Sequence, residues 1–164
     1  MVTVVALAIA VTTLSGCANV RGNGPLKLGG EAGQLCVPAG PDELVGVGEV
    51  LTTDTAAPLL AIESVVVEGA ESLDTSGIYL VPAPTGDTLM SMYVADPPPG
   101  WGKKVDAIGA EIKPGDTVNL VAVIARTGAE NGHASSIEVT YRDESGIKYV
   151  ARSTTSILLA DSCD

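Results

Sequence analysis

The clearest alternation of apolar and polar positions lies near the C-terminus of the chain. In SSIEVTYRD, residues 135–143, the apolar side chains of Ile137, Val139 and Tyr141 alternate with polar neighbours. This two-residue period is typical of a strand with one buried face. Residues 143–146, DESG, supply turn-forming side chains, and residues 147–153, IKYVARS, alternate again. The pattern therefore predicts a β-hairpin.

Five other segments carry strand patterns and are separated by Gly and Pro. They are ELVGVGEVLT (43–52), PLLAIESVVVEG (58–69), GIYLVP (77–82), DTVNLVAVIARTG (116–128) and STTSILLAD (153–161). Segment 116–128 is apolar on both faces, which indicates a central strand covered on both sides. No helical stripe is present, and residues 70–76 are compatible with one short turn.

These segments predict an all-β domain of about seven or eight strands. Because a sheet with two apolar faces must be covered by another layer, we expect a single antiparallel β-sandwich. Its architecture resembles immunoglobulin-like and fibronectin-III-like sandwiches. The Cys…Trp…Cys core signature of antibody domains is absent, because Trp101 stands in a loop rich in Pro and Gly.

The N-terminus combines an apolar run with a cysteine. From Val2 to Leu14 there is no charged residue, and this run is too short to span a bilayer but suits the core of a signal peptide. Leu14, Ser15, Gly16 and Cys17 follow the order of an aliphatic residue, a small residue, Gly or Ala, and Cys, and they resemble the lipobox of bacterial lipoproteins. A buried N-terminal strand or helix with a core cysteine is the alternative.

The lipobox resemblance implies a subcellular location for the protein. Residues 1–16 would be a signal peptide, and Cys17 would carry a diacylglyceryl thioether as the new N-terminus. The protein would then be extracytoplasmic and held at the bacterial cell membrane by that lipid. Residues 17–34, which are rich in Gly, are expected to form a flexible tether, and residues 35–164 the folded domain.

The chain contains three cysteines, and an odd number in an exported protein needs an explanation. Lipidation of Cys17 leaves Cys36 and Cys163 as an even pair. Outside the cytoplasm such a pair stays oxidised, so we predict a Cys36–Cys163 disulfide. Two unpaired buried thiols are the alternative. Neither cysteine lies in a CxxC motif, which gives no support to a redox role.

Charge and motif content exclude several chemistries. The formal net charge is −11, whereas nucleic-acid binding needs clustered Lys and Arg. His133 is the only histidine, so zinc and copper sites, which generally need several His or Cys ligands, are not expected. No P-loop, dinucleotide-binding motif or nucleophile elbow is present, and no cofactor is predicted. Acidic turns leave weak calcium binding open.

The stretch ADPPPGWGKK, residues 95–104, is the best candidate for a recognition loop. Consecutive prolines stiffen it, and the only Trp of the chain is followed by two lysines in an acidic protein. An exposed Trp beside positive charge is typical of an interaction hot spot. The candidate partner-binding residues are therefore Trp101, Pro98, Pro99, Lys103 and Lys104. The alternative is that Trp101 folds back and covers an open end of the sandwich.

Together these features predict a lipid-anchored β-sandwich that binds or scaffolds an envelope protein or wall component. A cell-wall hydrolase that uses His133 with carboxylates is one alternative. A structural subunit of an envelope assembly is the other.

Overall fold

A computed structural model describes residues 20–22, 24–83 and 89–163 of the chain. The predicted signal peptide, Cys17 and the start of the predicted tether lie outside these residues. The described residues form fourteen β-strands and one turn of 3₁₀ helix, Trp101–Lys103. The strands are β1 (Val20–Gly22), β2 (Leu26–Leu28), β3 (Gly33–Pro38), β4 (Val45–Thr53), β5 (Leu60–Glu68), β6 (Leu73–Pro82), β7 (Ser91–Tyr93), β8 (Val105–Asp106), β9 (Glu111–Ile112), β10 (Thr117–Arg126), β11 (Gly132–Ala134), β12 (Ser136–Asp143), β13 (Lys148–Arg152) and β14 (Thr155–Ala160).

Three sheets share one hydrophobic core. The first sheet has the order β1-β13-β12-β5-β9, and the second has the order β2-β4-β10-β6-β8, with β7 also paired to β4. A third sheet, β11-β14-β3, contributes Val37, Ile157 and Leu159 to the same core. The predicted all-β sandwich is confirmed. Eight of the strands contain five or more residues, and the additional short strands account for the larger total.

The predicted C-terminal hairpin is formed by β12 and β13. Ile137, Val139 and Tyr141 are fully buried, as the alternation predicted. In the turn, the Asp143 carboxylate accepts hydrogen bonds from the Ser145 hydroxyl at 2.6 Å and the Ile147 N–H at 3.0 Å. These bonds, foremost that from the Ser145 side chain, hold the pKa of Asp143 below its ordinary value.

Strand β10 is buried on both faces, which confirms the predicted central strand. It pairs with β4 on one side and β6 on the other. Leu120 and Ile124 point into the core between the sheets, whereas Val121 and Val123 belong to a second apolar cluster on the outer face of the second sheet. A sheet with two apolar faces therefore receives two separate covers.

The N-terminal segment corrects one expectation. Within residues 24–34, the predicted flexible tether instead contains β2, which pairs with the end of β4, and the start of β3. Leu26 and Leu28 are buried in the core, and the Leu26 N–H donates to the Tyr141 hydroxyl at 3.2 Å. Two leucines in a Gly-rich stretch give too short an alternation to predict a strand, and pairing with β4 supplies the missing stability. The folded domain thus begins before residue 35.

Residues 70–76 also differ from the expected short turn. Ser72 has a φ of 51°, but β6 already begins at Leu73 and runs to Pro82. Pairing of Leu73 with Arg126 of β10 extends the strand through these polar residues.

Residues 105–112 cross from one sheet to the other along one side of the sandwich. Val105–Asp106 pair with β6 of the second sheet, and Glu111–Ile112 pair with β5 of the first. Between them, the Ala107 N–H donates to the Ile78 carbonyl, and the Gly109 N–H donates to the Ile62 carbonyl. This crossing ties the two sheets together where their hydrogen-bonding edges are otherwise free.

The predicted Cys36–Cys163 disulfide is present. Cys36 lies in β3, Cys163 follows β14, and their Cα atoms are 5.8 Å apart. Close by, the guanidinium of Arg126, only 1% exposed, donates to the Asp161 carboxylate at 2.8 Å and to the Ala129 carbonyl at 3.3 Å. A covalent bond and a buried charge therefore both fix the segment that follows β14.

We expect Val139→Asp to unfold the domain, because it places an unpaired charge in a fully buried position. Val66→Asp is the matched control, since Val66 on the neighbouring strand β5 is 45% exposed. Far-UV circular dichroism during thermal unfolding measures both. A Val139→Asp variant with the same Tm as Val66→Asp would contradict the assignment of this face to the core.

Candidate functional site

The Trp101 segment lies against the outer face of the second sheet. Gly100, with a φ of 95°, turns the chain into the 3₁₀ turn, and the Trp101 N–H donates to the Pro98 carbonyl at 3.2 Å. The indole packs in the second apolar cluster with Val81 and Met92, and only 9% of Trp101 is exposed. Its ring meets the Tyr79 ring edge-to-face, with centroids 5.6 Å apart.

These contacts correct the expectation that Trp101 is an exposed hot-spot residue. The tryptophan covers a sheet face, because Val121 and Val123 of β10 need a second layer. The alternative prediction, a folded-back Trp101, describes its packing better, although it covers a sheet face and not an open end of the sandwich.

The other predicted partner-binding residues are more accessible. Pro99 and Lys103 are exposed, whereas Pro98 is half-buried. The Lys104 ammonium lies 4.7 Å from the centroid of the Trp101 ring and 5.4 Å from that of Tyr79, so it makes cation–π contacts. A partner-binding role for these side chains stays a prediction.

An apolar groove of about 460 Å³ adjoins this segment, where residues 105–112 cross between the sheets. Val105 and Ile108 on its rim are 55% and 59% exposed, an unusual degree of exposure for large apolar side chains. Lys103 lines the same groove, which thus adjoins the predicted recognition loop. The remaining lining residues are Leu80, Pro82, Asp106, Gly109, Ala110, Glu111, Ile112 and Val118.

Sequence reasoning missed this groove. Its rim comes from VDAIGAEI, residues 105–112, in which polar and apolar positions follow neither the strand nor the helix period over a useful length. The signal in the sequence that could have indicated the groove was the apolar pair Val105 and Ile108. These residues lie close to Lys103 and Lys104 and to a glycine.

A second cavity, of about 470 Å³, contains a buried carboxylate. Glu49 of β4 is 7% exposed, and burial raises the pKa of its carboxyl. Hydrogen bonds with the side chains of Thr155 and Ser153 partly offset this rise. Gly29, with a φ of 72°, lies directly against the Glu49 carboxylate, since a Cβ at position 29 would come within 2.6 Å of a Glu49 oxygen. The sequence signal was a single charge inside a long apolar strand segment.

His133 lies in strand β11 and not in the loop that the sequence predicted. Its backbone exchanges hydrogen bonds with Glu71, N–H to carbonyl in both directions, at 2.9 Å and 2.8 Å. Among the described residues its ring forms no ion pair with a carboxylate.

Residues 20–22, 24–83 and 89–163 contain no group of three or more His, Cys, Asp or Glu side chains placed to hold a metal ion. No helix in the described part of the chain has the length and apolar character needed to cross a bilayer.

No protein-family model matches the sequence, and no curated protein matches it. Among solved structures, the ASH/PapD-like domain of human CEP192 is 10% identical, with a TM-score of 0.44 and 99% of each chain covered. The Vibrio cholerae VesB protease is 9% identical, with a TM-score of 0.43, over 83% of this chain and 32% of the protease. The N-terminal domain of PorA is 11% identical, with a TM-score of 0.37, over 84% of this chain and 99% of that domain. Similarities this distant assign no activity.

We expect Trp101→Ala to destabilise the domain by about 3–5 kcal/mol, since it leaves a cavity over the outer face of β10. Ile108→Ala is the control, because Ile108 is 59% exposed and its truncation should change stability by less than about 0.5 kcal/mol. Urea unfolding followed by far-UV circular dichroism measures both variants. Equal stabilities would show that Trp101 does not cover the sheet.

We expect Glu49→Gln to raise the free energy of unfolding at pH 7 relative to the native chain, with the gain disappearing near pH 4. A raised carboxyl pKa means that the folded state binds the proton more tightly, so stability is lost as the pH rises through the folded pKa. Glutamine mimics the protonated form at every pH. Urea unfolding at both pH values measures the difference, with Glu31→Gln, an exposed carboxylate lining the same cavity, as the control. A gain that is equal at both pH values would contradict burial as its cause.

Proposed function

We propose that the mature protein is a lipid-anchored, non-enzymatic module that binds or scaffolds an envelope protein or wall component outside the bacterial cytoplasm. One observation carries the proposal. The disulfide uses Cys36 and Cys163, so the third cysteine, Cys17 of the lipobox-like LSGC, has no partner among the cysteines of the chain. A lipid on Cys17 would thus leave none of the three cysteines as a free thiol.

The disulfide also supports an extracytoplasmic location. Disulfides form and persist in oxidising compartments and are rare in the cytosol. A diacylglyceryl group supplies two acyl chains, and two lipid chains are what stable membrane anchoring requires. The disulfide and the proposed anchor are therefore compatible with one location, outside the cytoplasm at the cell membrane.

The described surface supports binding over catalysis. The groove beside Lys103 is mainly apolar and is lined by no histidine, cysteine or serine. His133, the residue on which the hydrolase alternative depends, lines neither of the two large cavities. Apolar area that is exposed and rimmed by charge is typical of contact surfaces.

The test is intact-mass analysis of the full-length chain after expression in a bacterium that processes lipoproteins. We expect a chain that begins at Cys17 and carries a diacylglyceryl group. Reduction should add the mass of two hydrogen atoms, because the disulfide opens. Cys17→Ser is the control and should carry no lipid. An unmodified Cys17 in a chain with its leader intact would overturn the proposal.

A further inference from the structure

The described part of the chain begins at Val20, at one end of the sandwich. Strand β1 runs parallel to β13, with Val20 opposite Lys148, so it starts beside the turn of the C-terminal hairpin at residues 143–146. The chain thus enters the fold at the end of the first sheet where β12 turns into β13.

Two turns of the second sheet lie at the same end. Leu26 pairs with Thr53 and also donates to the Tyr141 hydroxyl, which places the end of β4 level with the hairpin turn. The Gly115 N–H donates to the Asp54 carbonyl, which joins turn 113–116 to turn 54–57. We call these three turns, together with the start of β1, the Val20 end.

The distance from Cys17 to this end is short. Consecutive Cα atoms lie 3.80 Å apart, so three peptide links extend at most about 11 Å. The expected tether of residues 17–34 would have held the domain clear of a bilayer, but β1, β2 and the start of β3 lie within it and pair with strands of the domain. The headgroup layer of one leaflet is itself about 5–8 Å thick. Acyl chains on Cys17 therefore bring the Val20 end against the headgroups.

The distribution of charge favours the same orientation. Six of the nine basic residues lie at or next to the Val20 end: Arg21, Lys27, Lys103, Lys113, Arg142 and Lys148. Six acidic residues accompany them: Asp54, Glu63, Glu111, Asp116, Asp143 and Glu144. This end therefore has no net charge, and the rest of the chain holds the whole net charge of −11. An anionic membrane repels the rest of the protein far more strongly than this end.

We propose that the Val20 end rests directly on the lipid headgroups of the membrane, a placement that depends on the proposed lipid anchor at Cys17. The opposite end, with Arg126, Asp161 and the Cys36–Cys163 disulfide, then faces away from the membrane. The surface that meets the bilayer comprises turns 54–57, 113–116 and 143–146. The groove at Val105 and Ile108 is also lined by Pro82 and Val118 towards the Val20 end, so in this placement it opens close to the headgroups.

The test is amine labelling of the lipidated full chain in vesicles of phosphatidylglycerol and phosphatidylethanolamine. A membrane-impermeant amine-reactive reagent modifies exposed lysines, and mass spectrometry reports the labelled fraction of each. The comparison variant carries ten Gly and Ser residues inserted after Asn19, which lifts the domain by roughly 17 Å. The internal reference is a lysine introduced in both proteins by Glu130→Lys, because Glu130 is exposed and adjoins Ala129, whose carbonyl accepts a hydrogen bond from Arg126 at the opposite end.

We expect labelling of Lys27, Lys113 and Lys148 to be several-fold lower in the native-length protein than in the spacer variant, with the lysine introduced at position 130 labelled equally in both. Equal labelling of the three lysines in the two proteins, with lipid present on Cys17, would overturn this inference and leave the anchor standing. Absence of lipid in the same mass spectra would overturn the anchor and this inference together.

Discussion

The two apolar faces of β10 impose the constraint on which the rest of the structure depends. Its inner face meets the first sheet across the core, and its outer face needs a cover that neither sheet supplies. The chain has no Phe and a single Trp, and it places that Trp over Val121 and Val123. The prolines and glycines of residues 97–102 direct the chain back across the sheet so that the indole reaches this position.

Buried charge is limited to positions where the fold supplies partners. Arg126 at the end of β10 contacts Asp161 and the Ala129 carbonyl, whereas its Nε has no hydrogen-bond partner among the described residues. Glu49 keeps its carboxyl beside two hydroxyl side chains. Both groups lie on strands of the second sheet, where the third sheet or the segment after it packs against them, so buried polar groups help to position that sheet.

The long strands could be predicted because their own residues contain the information. Ile137, Val139 and Tyr141 alternate over enough residues to define a face, and the DESG turn that follows limits the pairing to a hairpin. The short strands could not be predicted in this way. Leu26 and Leu28 are buried only because β4 offers a partner, and residues 105–112 form strands only because two sheets lie on either side of them. The groove could not be predicted for the same reason, because residues 105–112 form its rim where they cross between the sheets. Cysteine counting did predict the disulfide, since parity does not depend on local pattern.

The disulfide divides the chain mechanically. Cys36 and Cys163 are 127 positions apart in the sequence, and their bond closes a covalent ring. The ring contains every strand from the end of β3 to β14, whereas β1 and β2 lie outside it. A pull on the N-terminus is therefore carried first by the hydrogen bonds that join two three-residue strands, β1 and β2, to β13 and β4. Under tension these two strands unpair first and lengthen the chain, while the part closed by the disulfide stays folded. The segment before Cys36 therefore limits the force that the rest of the domain bears.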